Sequence, residues 1–139
     1  MYKNILIATD GSEFADKAVT EGLALAEAVD ASVKLVTVTE PLSALEISAA
    51  GQGGIMDTLD DYHKRAEEEA KYILSEIAST AKYRGLTCET IHVSDQHPAE
   101  GIIASAKDKK CDLIIMASHG RRGIKKFILG SVANEVLTH

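Results

Sequence analysis

The sequence predicts an α/β fold, a three-layer, doubly wound parallel sheet, and three observations carry that expectation. Strand-type apolar runs recur four times along the 139 residues. Each is followed by a segment whose apolar residues repeat at spacings of three and four, the pattern of one helix face. The first and fourth runs are apolar almost without interruption, as in strands covered on both sides. Strands alternating with helices build a parallel sheet with right-handed crossovers and helices on both faces.

The elements follow in order. Ile5 to Ala8 is the first strand and stops at the turn sequence "TDGS". Ala15, Ala18, Val19, Gly22, Leu23 and Ala26 then mark a helix face, with Asp10 or Ser12 available to cap its first turn. "SVKLVTV", Ser32 to Val38, is β-branched and forms the second strand. Leu42 to Thr58, with "AAGQGG" at its centre, is a long irregular loop, either a cover over the second strand's end or disordered. Tyr62, Ala66, Ala70, Ile73, Leu74 and Ile77 line one face of a long helix, and Gly85 is placed to end it in a left-handed conformation. "TCETIHV" alternates, as an edge strand does. Pro98 opens a short helix whose buried side is Ile102, Ile103 and Ala106, and "CDLIIMA" is the fourth strand, expected to be the most buried. Ser131 to Leu137 is expected to begin a final helix, with Val132, Val136 and Leu137 inside.

One domain, residues 1–139, is expected, since a chain of this length and 45% apolar composition buries roughly 68–70% of its unfolded surface. The formal net charge of −6 speaks against nucleic acid or an anionic membrane as a general partner, because both reward a broad basic face. No segment nears the ~18 apolar residues of a membrane span, and the amino terminus carries no signal-peptide pattern, so a cytoplasmic location is expected. Cys88 and Cys111 lie in or beside strand runs without a metal-type spacing and read as reduced structural thiols. His63, His92, His97 and His139 read as surface or capping residues. Asp57, Asp60, Asp61 and Glu67 to Glu69 read as the solvated start and outer face of a helix.

Ligands of such sheets bind beyond the carboxyl ends of the strands, where the strand order reverses. The fourth strand ends in "ASHGRRGIKKFILGSV", in which Gly120, Gly123 and Gly130 admit close backbone approach and Ser131 would open a helix. Arg121, Arg122, Lys125 and Lys126 make a local basic patch on an acidic chain. Two readings fit these residues: a phosphate-binding loop, or a solvated connection. His119 within it suits a phosphate contact or a loop-ordering hydrogen bond. Neither G-x-x-x-x-G-K-[ST] nor G-x-G-x-x-G is present.

"KNILIATDGSEFADKAV" and "CDLIIMASHGRRGIKKFILGSVANEVL", with the order of elements, resemble the universal stress protein family over nearly the whole chain. Its nucleotide-binding members carry G-x-x-G, nine residues, then G-[ST]. Here Ala117-Ser118-His119-Gly120, nine residues, and Gly130-Ser131 stand in that register. The resemblance implies a Rossmann-like, adenine-nucleotide alpha-hydrolase-like sheet and a cytoplasmic, ATP-binding stress-response module that binds ATP, ADP or AMP with Mg2+. Gly120, Gly130, Ser131 and Val132 would hold the phosphates, with His119 and Arg121 beside them. Ala8, Thr9 and Asp10 would line the ribose and adenine side, Val38 the adenine edge, and Met116 and Ala117 would lie close by. Asp10 would meet the metal.

Two departures stand out. Ala117 replaces the motif's first glycine, and the sequence stops at His139, before the family's usual last strand, so the expectation is either a four-stranded sheet with an exposed edge or a chain that continues beyond His139. That strand often pairs across a homodimer in the family. No Ser/His/Asp order or activated cysteine stands out, so nucleotide sensing is favoured over catalysis, with slow ATP hydrolysis at most. The expected partners are an adenine nucleotide, a second copy of the chain and an unidentified protein. The alternative is a nucleotide-free dimerisation or interaction module.

Overall fold

The computed structural model describes residues 2–41, 57–119 and 124–131. The elements are β1 (Asn4–Ala8), α1 (Glu13–Val29), β2 (Ser32–Thr39), α2 (Asp57–Tyr83), β3 (Cys88–Ser94), α3 (Pro98–Asp108), β4 (Leu113–His119) and β5 (Ile124–Ser131). The sheet order is β3-β2-β1-β4-β5. The first four strands are mutually parallel, as the alternation predicted, and β3 is an edge.

Successive side chains of a strand point to opposite faces, and the two cores follow that rule. Ile5, Ile7, Val33, Leu35, Leu113 and Ile115 pack under α1 and α2 with Val19, Leu23 and Leu74. Leu6, Ala8, Val36 and Ile114 pack under α3 with Ile102 and Ala106. Burial from both sides explains the uninterrupted apolar runs. The most buried strand is β1 rather than β4: Ile5, Leu6 and Ile7 are 0% exposed, whereas Ile114 keeps 6% and Met116 is half-buried. β1 is central because the chain adds strands on both sides of it.

The helix ends have local causes. Ser12 caps α1 by accepting from the Ala15 amide at 3.1 Å. Gly85, at φ +79°, ends α2 as expected, with its amide on the Lys82 carbonyl and the Leu86 amide on the Ala81 carbonyl. His97 stands at the start of α3 without a side-chain capping bond, and Pro98 follows it.

The carboxyl-terminal part departs from expectation. Ile124–Ser131 is not a loop leading into a helix but a strand antiparallel to β4, with Ala117 opposite Phe127 and Leu113 opposite Ser131. The strand-forming residues Phe127, Ile128 and Leu129 lie between its lysines and its last glycine, and Ile124 precedes them. No fifth parallel strand is seen among the described residues. Of the loop expected over Leu42 to Thr58, Asp57 and Thr58 belong to α2 and residues 42–56 lie outside the described residues, as do the expected helical residues Val132, Val136 and Leu137.

Candidate functional site

The carboxyl end of β1 runs into a pre-shaped turn. The Thr9 amide continues the ladder by donating to the Val36 carbonyl at 3.0 Å. The Thr9 carbonyl accepts from the Thr37 hydroxyl at 2.7 Å. Asp10 Oδ1 accepts from the Ser12 amide at 2.9 Å, an Asx-type turn, and Thr9 Oγ1 accepts from the Gly11 amide at 3.1 Å. Gly11 sits at φ +81°, and a Cβ there would stand 2.8 Å from Ile73 Cδ1. The backbone favours glycine here, and a Cβ would also force the Ile73 side chain of α2 to shift.

Over this turn opens a cavity of 750 Å³ at the carboxyl ends of β1, β2 and β4. This is the point where the strand order reverses, since β2 lies on one side of β1 and β4 on the other. Ala8, Thr9, Asp10, Val38, Met116 and Ala117 all line it. α3 closes one side with Pro98 and Ile102, and Gly101 lets it approach closely, since a Cβ there would lie 2.9 Å from Val38 Cγ2. α2 supplies the facing wall through Tyr62, Arg65, Ala66, Glu69, Ala70 and Ile73. Tyr62 donates its hydroxyl proton to the Glu40 carbonyl at 2.9 Å, which ties α2 to the end of β2.

Next to the cavity, Thr39 Oγ1 and His92 Nε2 are 2.7 Å apart. Burial holds the His92 imidazole below its usual pKa; nearby Glu67 works against that shift and Lys71 with it. The two cysteines are free, and burial is the main cause of both thiols' raised pKa, Cys111 being pushed up to about 11. Thiols of this kind are protonated and unreactive at neutral pH. Among the described residues no group of three or more His, Cys, Asp or Glu side chains gathers to hold a metal.

The family profile of the universal stress proteins matches residues 1–139. The chain belongs to the universal stress protein family. It is 31% identical to universal stress protein MJ0577 of Methanocaldococcus jannaschii over 145 residues, covering 99% of this chain and 89% of that one. The solved structure of MJ0577 superposes with a TM-score of 0.71, over 99% of this chain and 90% of that one. Two structures with lower identity share the fold. One is a universal stress protein in complex with cAMP, at 24% identity and TM-score 0.59, covering 83% of this chain and 75% of that one. The other is a family protein of Arabidopsis thaliana with AMP bound, at 15% identity and TM-score 0.62, covering 99% of this chain and 85% of that one.

The residues in the register of the universal stress protein motif fall partly within the described residues. Ala117 belongs to β4, is not among the positive-φ residues, and packs at 8% exposure with the core under α1 and α2. Its methyl group is therefore accommodated where the motif has glycine. His119 is the last residue of β4, opposite Ile124. Gly120, Arg121 and Val132 lie outside the described residues.

Gly130 and Ser131 require a correction. They pair with Ile114 and Leu113, at the amino end of β4. Three to four residues separate these partners from Ala117, about 10–13 Å along a strand, so the backbone of the pair stands apart from the strand end that lines the cavity. The cause is the antiparallel return of β5, which carries the chain away from the carboxyl edge. The sequence had not singled out Tyr62, Arg65 and Glu69 as site residues. The available signal was the face shared by Tyr62, Ala66, Ala70 and Ile73, whose amino-terminal half faces the cavity instead of the core.

Proposed function

We propose that this universal stress protein binds an adenine nucleotide in the carboxyl-edge cavity and acts as a nucleotide-dependent sensor or regulatory module. The observation that carries the reading is the convergence of Ala8, Thr9, Asp10, Val38, Met116 and Ala117 on one cavity. Its 750 Å³ falls in the range of small-molecule sites, ~300–1,000 Å³. The cAMP and AMP complexes of two relatives of the same fold support the choice of an adenine nucleotide. The base lies toward Val38 and the ribose toward Asp10. The phosphates run to the end of β4, where the chain continues as Gly120-Arg121-Arg122.

Mg2+ takes one or two carboxylates together with substrate phosphates and keeps several waters, a donor set to which Asp10 contributes one oxygen pair. When bound, it neutralises phosphate charge. Asp10's own part is to hold the turn through the Ser12 amide and to present its carboxylate at the mouth of the cavity. The nucleotide-dependent state is passed on to a second copy of the chain and to an unidentified protein partner. The β3 edge, with backbone groups unpaired on its outer side among the described residues, is one surface suited to pairing.

Calorimetric titration of the nucleotide-stripped protein with ATP and Mg2+ tests the reading. Affinity of about 1 μM, near −8 kcal/mol, is expected, and no binding up to millimolar ATP would overturn it. Gly130→Val separates the two placements of the Gly130-Ser131 pair. A strand accepts a β-branched residue with ATP affinity unchanged, whereas a phosphate cradle loses it.

A further inference from the structure

We propose that Arg65, on the wall contributed by α2, recognises the base of the bound nucleotide by laying its guanidinium plane over the ring. This rests on the nucleotide reading of the cavity and extends it to a residue outside the family motif. α2 crosses the cavity between two fixed points: Tyr62, bonded to the Glu40 carbonyl at the end of β2, and Ile73, packed against Gly11 in the first turn. These points are about 16 Å apart along the helix axis, and Arg65 lies only about 4.5 Å from the Tyr62 end. That end is the base side, next to Val38.

The side chain suits the task. Arg65 is exposed and lines the cavity. Among the described residues its one hydrogen bond runs from Nε to the Asp61 carbonyl of its own helix at 3.4 Å, the long limit of such bonds. The same cavity is lined by the aliphatic Val38, Ile102 and Met116, surfaces suited to pack against one side of a flat ring and leave the other side to be covered. A planar, weakly hydrated guanidinium stacks on such a ring better than a lysine ammonium. Phosphates do not belong at this end, because two acidic residues line the cavity here, Glu40, whose carbonyl is bonded to Tyr62, and Glu69, about one turn along α2 from Arg65. Ribose and base donors suit those carboxylates.

The test is titration of the full chain, as wild type, Arg65→Ala and Arg65→Lys, with adenosine, AMP and ATP plus Mg2+. Arg65→Ala is expected to weaken all three ligands by the same factor, about fivefold, and Arg65→Lys to restore little of it. Unchanged affinity in Arg65→Ala would overturn the proposal. So would a loss that grows from adenosine to ATP, which marks a phosphate contact, or full rescue by lysine, which marks charge alone. Wild type that binds none of the ligands would refute the nucleotide reading itself, and this assignment with it. Wild type that binds while Arg65→Ala binds equally well refutes this assignment only. Matching thermal melts of the three proteins show that the fold is intact.

Discussion

Replacing Gly11 by alanine perturbs the site and the fold at one atom. The backbone at φ +81° costs an L-residue about 1–2 kcal/mol. The new methyl would stand 2.8 Å from Ile73 Cδ1 and 3.2 Å from Cγ1. Because Cδ1 is the tip of a rotatable side chain, relief by a shifted rotamer costs about 1 kcal/mol. The lower entropy of the unfolded alanine chain returns about 0.4–1 kcal/mol. The net loss is about 2 kcal/mol. With an unfolding entropy of about 2.1 cal/mol/K per residue, or about 0.29 kcal/mol/K for 139 residues, the Tm should fall by about 7 °C. Differential scanning calorimetry measures this directly. Ile73→Val removes the tip that clashes, so the double variant should lose less stability than the two single variants added together. A Tm within 1 °C of wild type, or strict additivity of the two changes, would refute the steric and conformational account of this turn.

Other consequences can be checked alongside. Ser12→Ala removes the acceptor of the Ala15 amide and should cost about 1 kcal/mol, a Tm loss of about 3 °C by the same scale, read from thermal melts. Glu89 and Lys109 form an ion pair at 2.6 Å linking β3 to the end of α3. The bond from Lys109 holds the Glu89 carboxyl below its usual pKa, and Glu89 in turn raises that of Lys109. A lowered carboxyl pKa adds stability above its unfolded value of 4.5, and that stability is lost as pH falls through the folded value. A raised lysine pKa adds stability below 10.5, lost as pH rises through its folded value. The Tm difference between wild type and Glu89→Gln should therefore be small, positive and widest between these limits, closing as pH falls from 4.5 through the folded carboxyl value. A difference independent of pH would show that the pair contributes through packing alone.

How much was legible beforehand follows the range of the physics involved. Strand and helix identity depends on periods of two and of three to four residues, so Ile5 to Ala8, the face from Ala15 to Ala26 and the left-handed stop at Gly85 could be read directly. The turn "TDGS" likewise carries its own acceptors, Thr9, Asp10 and Ser12, within a few residues of the amides they bind. The family motif pointed to the strand ends that line the cavity, since the parallel sheet brings the carboxyl ends of β1, β2 and β4 to one edge.

The rest depends on contacts between distant segments, which no local period encodes. β1 is the most buried strand because strands were added on both sides of it, and strand order is a property of the assembled sheet. The segment 124–131 contains both strand-forming residues and the glycine and cations of a loop, and pairing with β4 decided between them. Arg65 and Glu69 look like any solvated helix flank until the packing of Ile73 on Gly11 and the bond from Tyr62 to Glu40 turn that flank toward the cavity. The sequence alone therefore determined β1 to β4, the three helices that join and flank them, and the carboxyl edge that β1, β2 and β4 share. Only tertiary packing decided which side chains from other elements form its walls, because those contacts join residues tens of positions apart.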